Sequence, residues 1–277
     1  MKNTGLLSFL FLCLSCSQEK LVIEPEQNPF AVMPSSFKSH VLIENIEGEN
    51  NSDCVDASVL LDQFKNQYYK QLTLASIHQN DWLEIPYGKD LEEQLGGVVS
   101  YPRASIQRML GNNTVNKLDD NYVWLSQPNW YKHLQQSLLN TPPLAISLES
   151  SFTNAQFGNL HVYIAHKTTL PANARLQVYI VEDNLPAVFQ LGANSNYIHQ
   201  HVVREVISDY KGDPILSEDG ENEEGIKKIS YTNIPLQGYQ LNHIKFVAFI
   251  YTYSADFRKK QILNVQEVNI GGNKYWD

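Results

Sequence analysis

The chain has 277 residues, of which 43% are hydrophobic and 18% charged, and its net charge is −9. This composition is typical of a globular protein, and the length allows two domains with separate cores. Because no segment is rich in Lys and Arg, we expect no nucleic-acid partner.

Residues 1–15 have the pattern of a lipoprotein signal peptide. Lys2 precedes an apolar run that ends at Leu14, and this run is shorter than the roughly 20 residues that span a bilayer. Ser15-Cys16 resembles a lipobox, in which a small residue precedes a cysteine that receives diacylglycerol, although Cys13 stands where Leu is usual. The alternatives are an ordinary signal peptide cut nearby and a buried N-terminal strand. We expect Cys16 to carry the lipid that anchors the protein to the membrane.

Residues 16–38 are polar and contain three prolines, which predicts an extended tether between the membrane and the fold. Ser17, rather than Asp, follows the cysteine, and by resemblance to lipoprotein sorting signals this favours the outer membrane, on its periplasmic or its surface face. With Cys13 removed and Cys16 lipidated, Cys54 is the remaining thiol, so no intramolecular disulfide is expected.

Residues 39–141 alternate apolar strands with amphipathic helices, which indicates an α/β domain. After Thr141 the pattern changes to strands separated by turn residues, several with a period of two. Residues 142–277 are therefore predicted to form an all-β antiparallel sandwich, immunoglobulin-like or jelly-roll-like. The predicted segments are strands at His40–Ile46, Gln71–Ile77, Arg103–Leu110, Leu144–Leu148, His161–Ile164, Leu176–Ile180, Ile244–Tyr253 and Ile262–Ile270, and helices at Ala57–Tyr68, at Lys89–Leu95 and after Ser126.

The strand, loop and helix around Cys54 resemble the active-site region of a thioredoxin-like fold. Such folds carry Cys-X-X-Cys at the start of the first long helix, where the helix N-terminus lowers the pKa of the first, nucleophilic cysteine. Here Asn51 occupies the nucleophile position and only the resolving position, Cys54, keeps sulfur. Tyr101-Pro102 fits the place of the cis-proline that faces this loop; a plain turn before a strand is the alternative.

Nearly the whole chain after the signal peptide resembles the Gram-negative lipoproteins related to the 28-kDa outer membrane protein. The residues that carry the resemblance are Val41–Glu44, Gly48, Cys54–Ala57, Ala75–His78, Tyr101-Pro102, Tyr197–Arg204, Gly212-Asp213, Phe246–Tyr251 and Val265–Val268. Members often have Gly-X-X-Cys-X-X-Cys-Pro, from which this chain departs at Asn51 and Val55. The resemblance implies a cell-surface or adhesion role, and the two departures argue against an inherited redox role.

Three histidines and one arginine are candidate binding residues. On a regular strand His199 and His201 would face the same side and Arg204 the other, and a metal site would need a third ligand. The candidates for that third ligand are His161, His166 and Asp209. We favour histidines buried against backbone acceptors, and therefore expect no metal. His78 follows the second strand and could reach the Cys54 loop, where we expect it to be structural or to contribute to binding.

The sequence thus predicts a lipid-anchored outer-membrane protein that binds a protein or envelope partner, with no catalytic residue and no cofactor. Cys54 is expected to be a buried, inert thiol, because the neighbouring Asp53 disfavours the thiolate. The alternative is an envelope thiol-disulfide or glutathione-linked enzyme that uses Cys54 as a single thiol.

Overall fold

The computed structural model describes residues 28–115, 117–216 and 225–277. The predicted signal peptide, Cys16 and the first part of the predicted tether lie outside the described residues. Among the residues that are described, no helix is long and apolar enough to cross a membrane.

The described chain consists mainly of β-strands, with three α-helices. The strands are β1 (Val41–Glu47), β2 (Leu72–His78), β3 (Arg103–Ile106), β4 (Leu144–Asn154), β5 (Phe157–His166), β6 (Ala174–Glu182), β7 (Leu185–Pro186), β8 (Ile198–His199), β9 (Val202–Val206), β10 (Asp213–Pro214), β11 (Ile226–Pro235), β12 (Ile244–Thr252), β13 (Ile262–Asn269) and β14 (Asn273–Lys274). The helices are α1 (Asp53–Gln67), α2 (Gly88–Glu93) and α3 (Trp130–Leu138). Short 3-10 turns span Lys117–Asp119, Gln127–Asn129 and Phe257–Lys259.

The first three strands and three helices follow the order that the sequence predicts. All residues of β1 and β2 are buried, as expected for short apolar strands covered on both faces. Helix α1 buries Ala57, Leu61 and Phe64 at helical spacing, and Asp53 and Asp56 in its first turn complement the positive end of the helix dipole.

The third strand is shorter than predicted. It ends at Ile106 instead of Leu110, because Gln107 and Arg108 both adopt positive φ angles, 54° and 52°, which no extended strand contains. The turn redirects the Gln107 side chain, whose Oε1 accepts a hydrogen bond from the backbone N–H of Leu42 at 2.8 Å. An apolar run therefore ends in a buried polar turn that periodicity did not indicate.

One large mixed sheet contains strands from both sides of residue 141. Its order is β13-β12-β6-β9-β2-β1-β3, with β10 paired to β6. Strand β1 is parallel to β2 and antiparallel to β3, whereas β6, β9, β12 and β13 pair antiparallel. The two halves meet where β2 and β9 pair at Ser76 and Val202. The division into domains near Thr141 stays a prediction, but strands on its two sides share this sheet.

A second, antiparallel sheet has the order β11-β5-β4-β14 and packs against the large sheet. Alternate residues of β6 lie on opposite faces of the large sheet. Leu176 and Val178 face the second sheet, and Tyr179 and Val181 face a core that includes α2. Helices α1 and α3 cover β1, β2 and β3 through a separate cluster that includes Trp130. The fold is thus mostly β, with mixed and antiparallel sheets and few helices.

Part of the predicted tether packs on the fold. Phe30 is 4% exposed and stacks on Tyr163 of β5 with ring centroids 4.8 Å apart. The Trp276 indole N–H also donates a hydrogen bond to the Pro29 carbonyl at 3.1 Å. Since an aromatic side chain gains most when it leaves water, the part of the predicted tether that the structure describes packs on the fold.

Candidate functional site

The loop between β1 and α1 is held against the Tyr101–Pro102 segment. The Asn51 amide donates to the Tyr101 carbonyl at 2.7 Å, and its Oδ1 accepts from the Asp53 backbone N–H at 2.9 Å. The Tyr101–Pro102 peptide bond is cis, in agreement with the expectation from the thioredoxin-like pattern. The structure therefore brings Asn51 next to the Tyr101–Pro102 bond, with both ends of the Asn51 amide hydrogen-bonded to backbone groups.

Cys54 lies one residue inside α1 and is 2% exposed. Among the described residues it is the free cysteine. Burial raises the pKa of its thiol to about 12, and the charges of Glu47, Asp53 and Asp81 act in the same direction. The thiol is buried, as the sequence analysis favoured, and Asp53 opposes the thiolate as expected.

A segment from the C-terminal half covers the same loop. The Gln190 side chain donates to the Asn51 carbonyl at 3.0 Å, and the Leu191 backbone N–H donates to the Glu49 carbonyl at 2.8 Å. Gly192 has a φ of 84° and lies so close to Ser52 that a Cβ atom would come within 2.8 Å of the serine Cβ. Residues 190–192 therefore pack against this loop, whereas Ser52 and Asp53 stay exposed to solvent.

His78, at the end of β2, connects this loop to a group of buried acids. Its Nδ1 is 2.7 Å from Asp81 Oδ2 and its Nε2 is 3.1 Å from Glu47 Oε1. Burial alone would lower the pKa of His78, but Asp81 and Glu47 outweigh it and raise the pKa to about 9. Asp81 also accepts from the Glu49 backbone N–H at 3.1 Å. The expectation that His78 reaches the Cys54 loop is thus met through two carboxylates.

His199 packs beside His78 and not beside His201. The two rings of His199 and His78 meet edge to face with centroids 4.8 Å apart, and Tyr197 contacts the other side of His199 at 5.1 Å. Burial, reinforced by His78, lowers the pKa of His199 to about 4. His199 is therefore a neutral, buried imidazole at physiological pH.

The predicted same-side arrangement of His199 and His201 is wrong. Strand β8 ends at His199 and His201 has a φ of 58°, so the backbone turns between them. His201 lies 3.1 Å from Asp183 and 3.5 Å from Asp62, which places it in a different ionic cluster.

Arg204 is engaged within the fold. It pairs with Glu182 at 2.5 Å and lies over the Tyr239 ring, 5.7 Å from its centroid. Its guanidinium therefore already has an internal carboxylate partner.

The proposed third ligands do not join His199. His161 is 2.7 Å from Ser230 on the second sheet, His166 contacts the Thr168 carbonyl at 3.1 Å, and Asp209 organises a turn through the Lys211 backbone N–H at 2.7 Å. Within the described residues, the group that converges with His199 is Glu47 and His78.

Sequence reasoning missed Glu47, although the sequence contained a signal. Glu47 and His78 are the last residues of β1 and β2, and they stand opposite each other in the register of this parallel pair. Parallel strands end at the same sheet edge, which is where α/β proteins place polar functional groups. Polar residues at the ends of two successive apolar strands in an α/β segment therefore predict that their side chains lie close together.

Three solved structures are similar to this chain to different degrees. HBP35 of Porphyromonas gingivalis superposes with a TM-score of 0.70 at 19% identity, covering 86% of this chain and 77% of that one, which shows a shared fold. Protein AGR_C_4864 of Agrobacterium tumefaciens gives 0.49 at 11% identity over 85% and 96% of the two chains. A domain of the outer membrane lipoprotein Omp28 from Porphyromonas gingivalis gives 0.31 at 19% identity over 47% and 89%.

Among curated proteins, none matches this sequence significantly. The family described as outer membrane protein Omp28 matches residues 91–274, which is more than half of the chain. The chain therefore belongs to the Omp28 family, and this membership places it at the outer membrane.

Proposed function

We propose that this chain is a lipid-anchored, non-catalytic binding protein of the outer membrane. In this proposal residues 39–141 form a degenerate thioredoxin-like domain and residues 142–277 a β-sandwich domain. The parallel pair β1–β2, the start of α1 after the loop and the cis bond before Pro102 support the first assignment. The antiparallel pairing of β4, β5 and β11 supports the second.

The burial of Cys54 is the observation that carries the non-catalytic part of the proposal. Only a thiolate attacks a disulfide, and burial raises the pKa of Cys54 to about 12, so the thiol form dominates at pH 8. The position of the exposed nucleophile holds Asn51, whose amide cannot take part in thiol exchange. The single-thiol alternative would require Cys54 to leave this buried site.

The segment that covers the loop also supports a binding role. Three of its apolar side chains face solvent: Val188, Phe189 and Leu191 are 80%, 49% and 47% exposed. Exposed apolar side chains grouped in one segment are typical of protein-binding surfaces. Hydrogen bonds from Gln190 and Leu191 to the β1–α1 loop hold the backbone of this segment in place. The proposed partner is therefore a protein that docks on a preformed surface.

We expect Cys54 to be unreactive in the folded protein. Alkylation at pH 8 should be slow, should accelerate about tenfold per pH unit as the pH rises toward 12, and should become fast in urea. Insulin reduction and glutathione exchange should not exceed the rate of a Cys54→Ser variant. Turnover by the wild type that Cys54→Ser abolishes would overturn the non-catalytic proposal.

The Asn51→Cys variant provides the matched control, because it restores the Cys-X-X-Cys spacing. If the loop is thioredoxin-like, the introduced thiol and Cys54 should form a disulfide that mass spectrometry detects and that dithiothreitol reduces. Failure to form it under oxidising conditions, with the variant folded, would contradict the thioredoxin-like assignment but leave the binding role intact.

We expect a photo-crosslinker at position 189 to capture a specific envelope protein in intact cells. The same crosslinker at Val115, which is 76% exposed, is the control for non-specific contact. Adducts that form equally at both positions would argue against a binding surface at Phe189. A Val188→Ser variant should reduce the adduct at position 189 if the apolar side chains contribute to docking.

A further inference from the structure

We propose that Glu47, His78 and His199 form a binding site for a divalent transition-metal ion of the zinc class. The three residues come from the ends of β1, β2 and β8 and are all buried. One potential ligand atom from each lies within 4.8 Å of the others. The inference is independent of the proposed anchor and of the chemistry of Cys54.

The imidazole nitrogens of the site lack other partners. His78 Nε2 and His199 Nε2 are both buried and, among the described residues, make no hydrogen bond. His78 Nε2 forms an ion pair with Glu47 Oε1 at 3.1 Å, inside the cluster itself. Leaving a buried polar atom unpaired costs free energy, so the unpaired His199 Nε2 beside this Glu47–His78 pair indicates a ligand held by all three residues.

The neighbouring groups orient the proposed ligands as outer-shell residues do in metal sites. Asp81 Oδ2 contacts His78 Nδ1 at 2.7 Å, which leaves Nε2 directed at the site. Asn45 and Ser58 donate to Glu47 Oε2 at 3.0 and 3.2 Å, which leaves Oε1 directed at the site. A carboxylate behind a histidine ligand fixes the ring and strengthens it as a donor.

The charges of the cluster also fit a divalent cation. Two carboxylates, Glu47 and Asp81, are packed against two imidazoles in the interior. A bound ion requires both histidines to be neutral, so binding displaces the proton that His78 carries in the metal-free protein. With that proton gone the four groups carry a charge of −2, which one divalent ion neutralises.

The donor set selects the class of ion. Two imidazole nitrogens and one carboxylate oxygen suit Zn²⁺, Co²⁺ or Ni²⁺, whereas Ca²⁺ and Mg²⁺ prefer oxygen ligands alone.

The ligand atoms must move closer together when the ion binds. Tetrahedral zinc bonds imply ligand atoms roughly 3.4 Å apart, which is less than the 4.8 Å within which they now lie. His199 is the residue to move, because it lies on a strand of two residues. Half-buried Ser58 and Tyr197 lie beside the site, in contact with Glu47 and His199.

The test is a titration of untagged, metal-stripped protein with Co²⁺, followed by visible absorption and native mass spectrometry. Wild type should bind one Co²⁺ with the d–d bands of a tetrahedral site, and Zn²⁺ should displace it. His199→Ala should weaken binding by more than the roughly 10–100-fold loss that removal of an outer-shell partner causes. His161→Ala, which removes a histidine of the second sheet, and Cys54→Ala should bind like the wild type.

A second variant keeps the test decisive if His199→Ala does not fold. Glu47→Gln preserves the shape of the side chain and its hydrogen bonds from Asn45 and Ser58, but replaces the carboxylate with a poor ligand. It should also lose Co²⁺ binding. The proposal is wrong if wild-type protein binds no stoichiometric Co²⁺ or Zn²⁺, or if the folded variants bind as tightly as the wild type.

Discussion

Replacing Arg108 with Met is expected to destabilise the fold by about 3–5 kcal/mol. The side chains of Arg108 and Glu44 are almost completely buried, and the guanidinium Nε and Nη2 donate to the two carboxylate oxygens at 2.8 and 2.7 Å. Met fills much of the same space but leaves the Glu44 carboxylate in the interior without its counter-ion. Urea unfolding at pH 7 measures the loss.

This ion pair is costly to break because it joins both halves of the large sheet. Glu44 lies on β1, and its Oε1 also accepts from the Tyr179 hydroxyl of β6 at 3.0 Å. The Arg108 guanidinium lies over the rings of Phe249 and Tyr251 on β12, 5.0 and 4.6 Å from their centroids. Loss of the arginine therefore removes packing and charge-assisted contacts on three strands at once.

A double variant separates the cost of the orphaned charge from the cost of lost packing. Glu44→Gln together with Arg108→Met removes both charges, so it should recover much of the stability that Arg108→Met loses.

The control for the whole experiment is Arg258→Met, because the Arg258–Asp256 pair has similar bidentate geometry but lies at the surface. That variant should unfold almost like the wild type. The prediction fails if Arg108→Met is equally mild.

The order of elements up to residue 141 could be predicted because each strand is a continuous apolar run and each helix has an apolar face. Periodicity reports which residues are buried, but not which strand is the neighbour. The pairing of β2 with β9 through Ser76 and Val202 joins segments far apart in the chain, and nothing local in either strand specifies it. The end of β3 was missed for a related reason: Gln107 and Arg108 form a turn that long-range partners on β1 and β6 stabilise.

The residues of the candidate site also fall into two groups, those that local sequence could predict and those that depend on long-range pairing. A short sequence pattern and its spacing sufficed to predict that Cys54 lies at the start of a helix and that the bond before Pro102 is cis, whereas the role of a degenerate redox loop stays a prediction. The meeting of His199 with Glu47 and His78 could not, since it depends on how the segment before β9 crosses the edge of the β1–β2 pair. The spacing of His199 and His201 gave a wrong prediction because it assumed a regular strand, whereas the chain turns at His201.

Replacing Cys16 with Ala is expected to abolish incorporation of labelled fatty acid and to release the protein from the outer membrane. The reason is that a small residue before Cys16 follows an apolar run and a basic start, the pattern of a lipidated cysteine. Each buried CH₂ of an acyl chain contributes about 0.8 kcal/mol, and stable anchoring takes more than one chain or a second signal.

Two other cysteines serve as controls in the same labelling experiment. Cys13→Ala tests whether the modification occurs three residues earlier, and Cys54→Ala tests whether the buried thiol is acylated. Both variants should incorporate label like the wild type and should fractionate with the outer membrane. Label that persists in Cys16→Ala would refute the anchor, whereas label lost only in Cys13→Ala would move it to that cysteine. If label is lost in Cys16→Ala but the protein stays in the outer-membrane fraction, a bound partner retains it. The crosslinker at position 189 then tests whether that partner binds at the proposed surface.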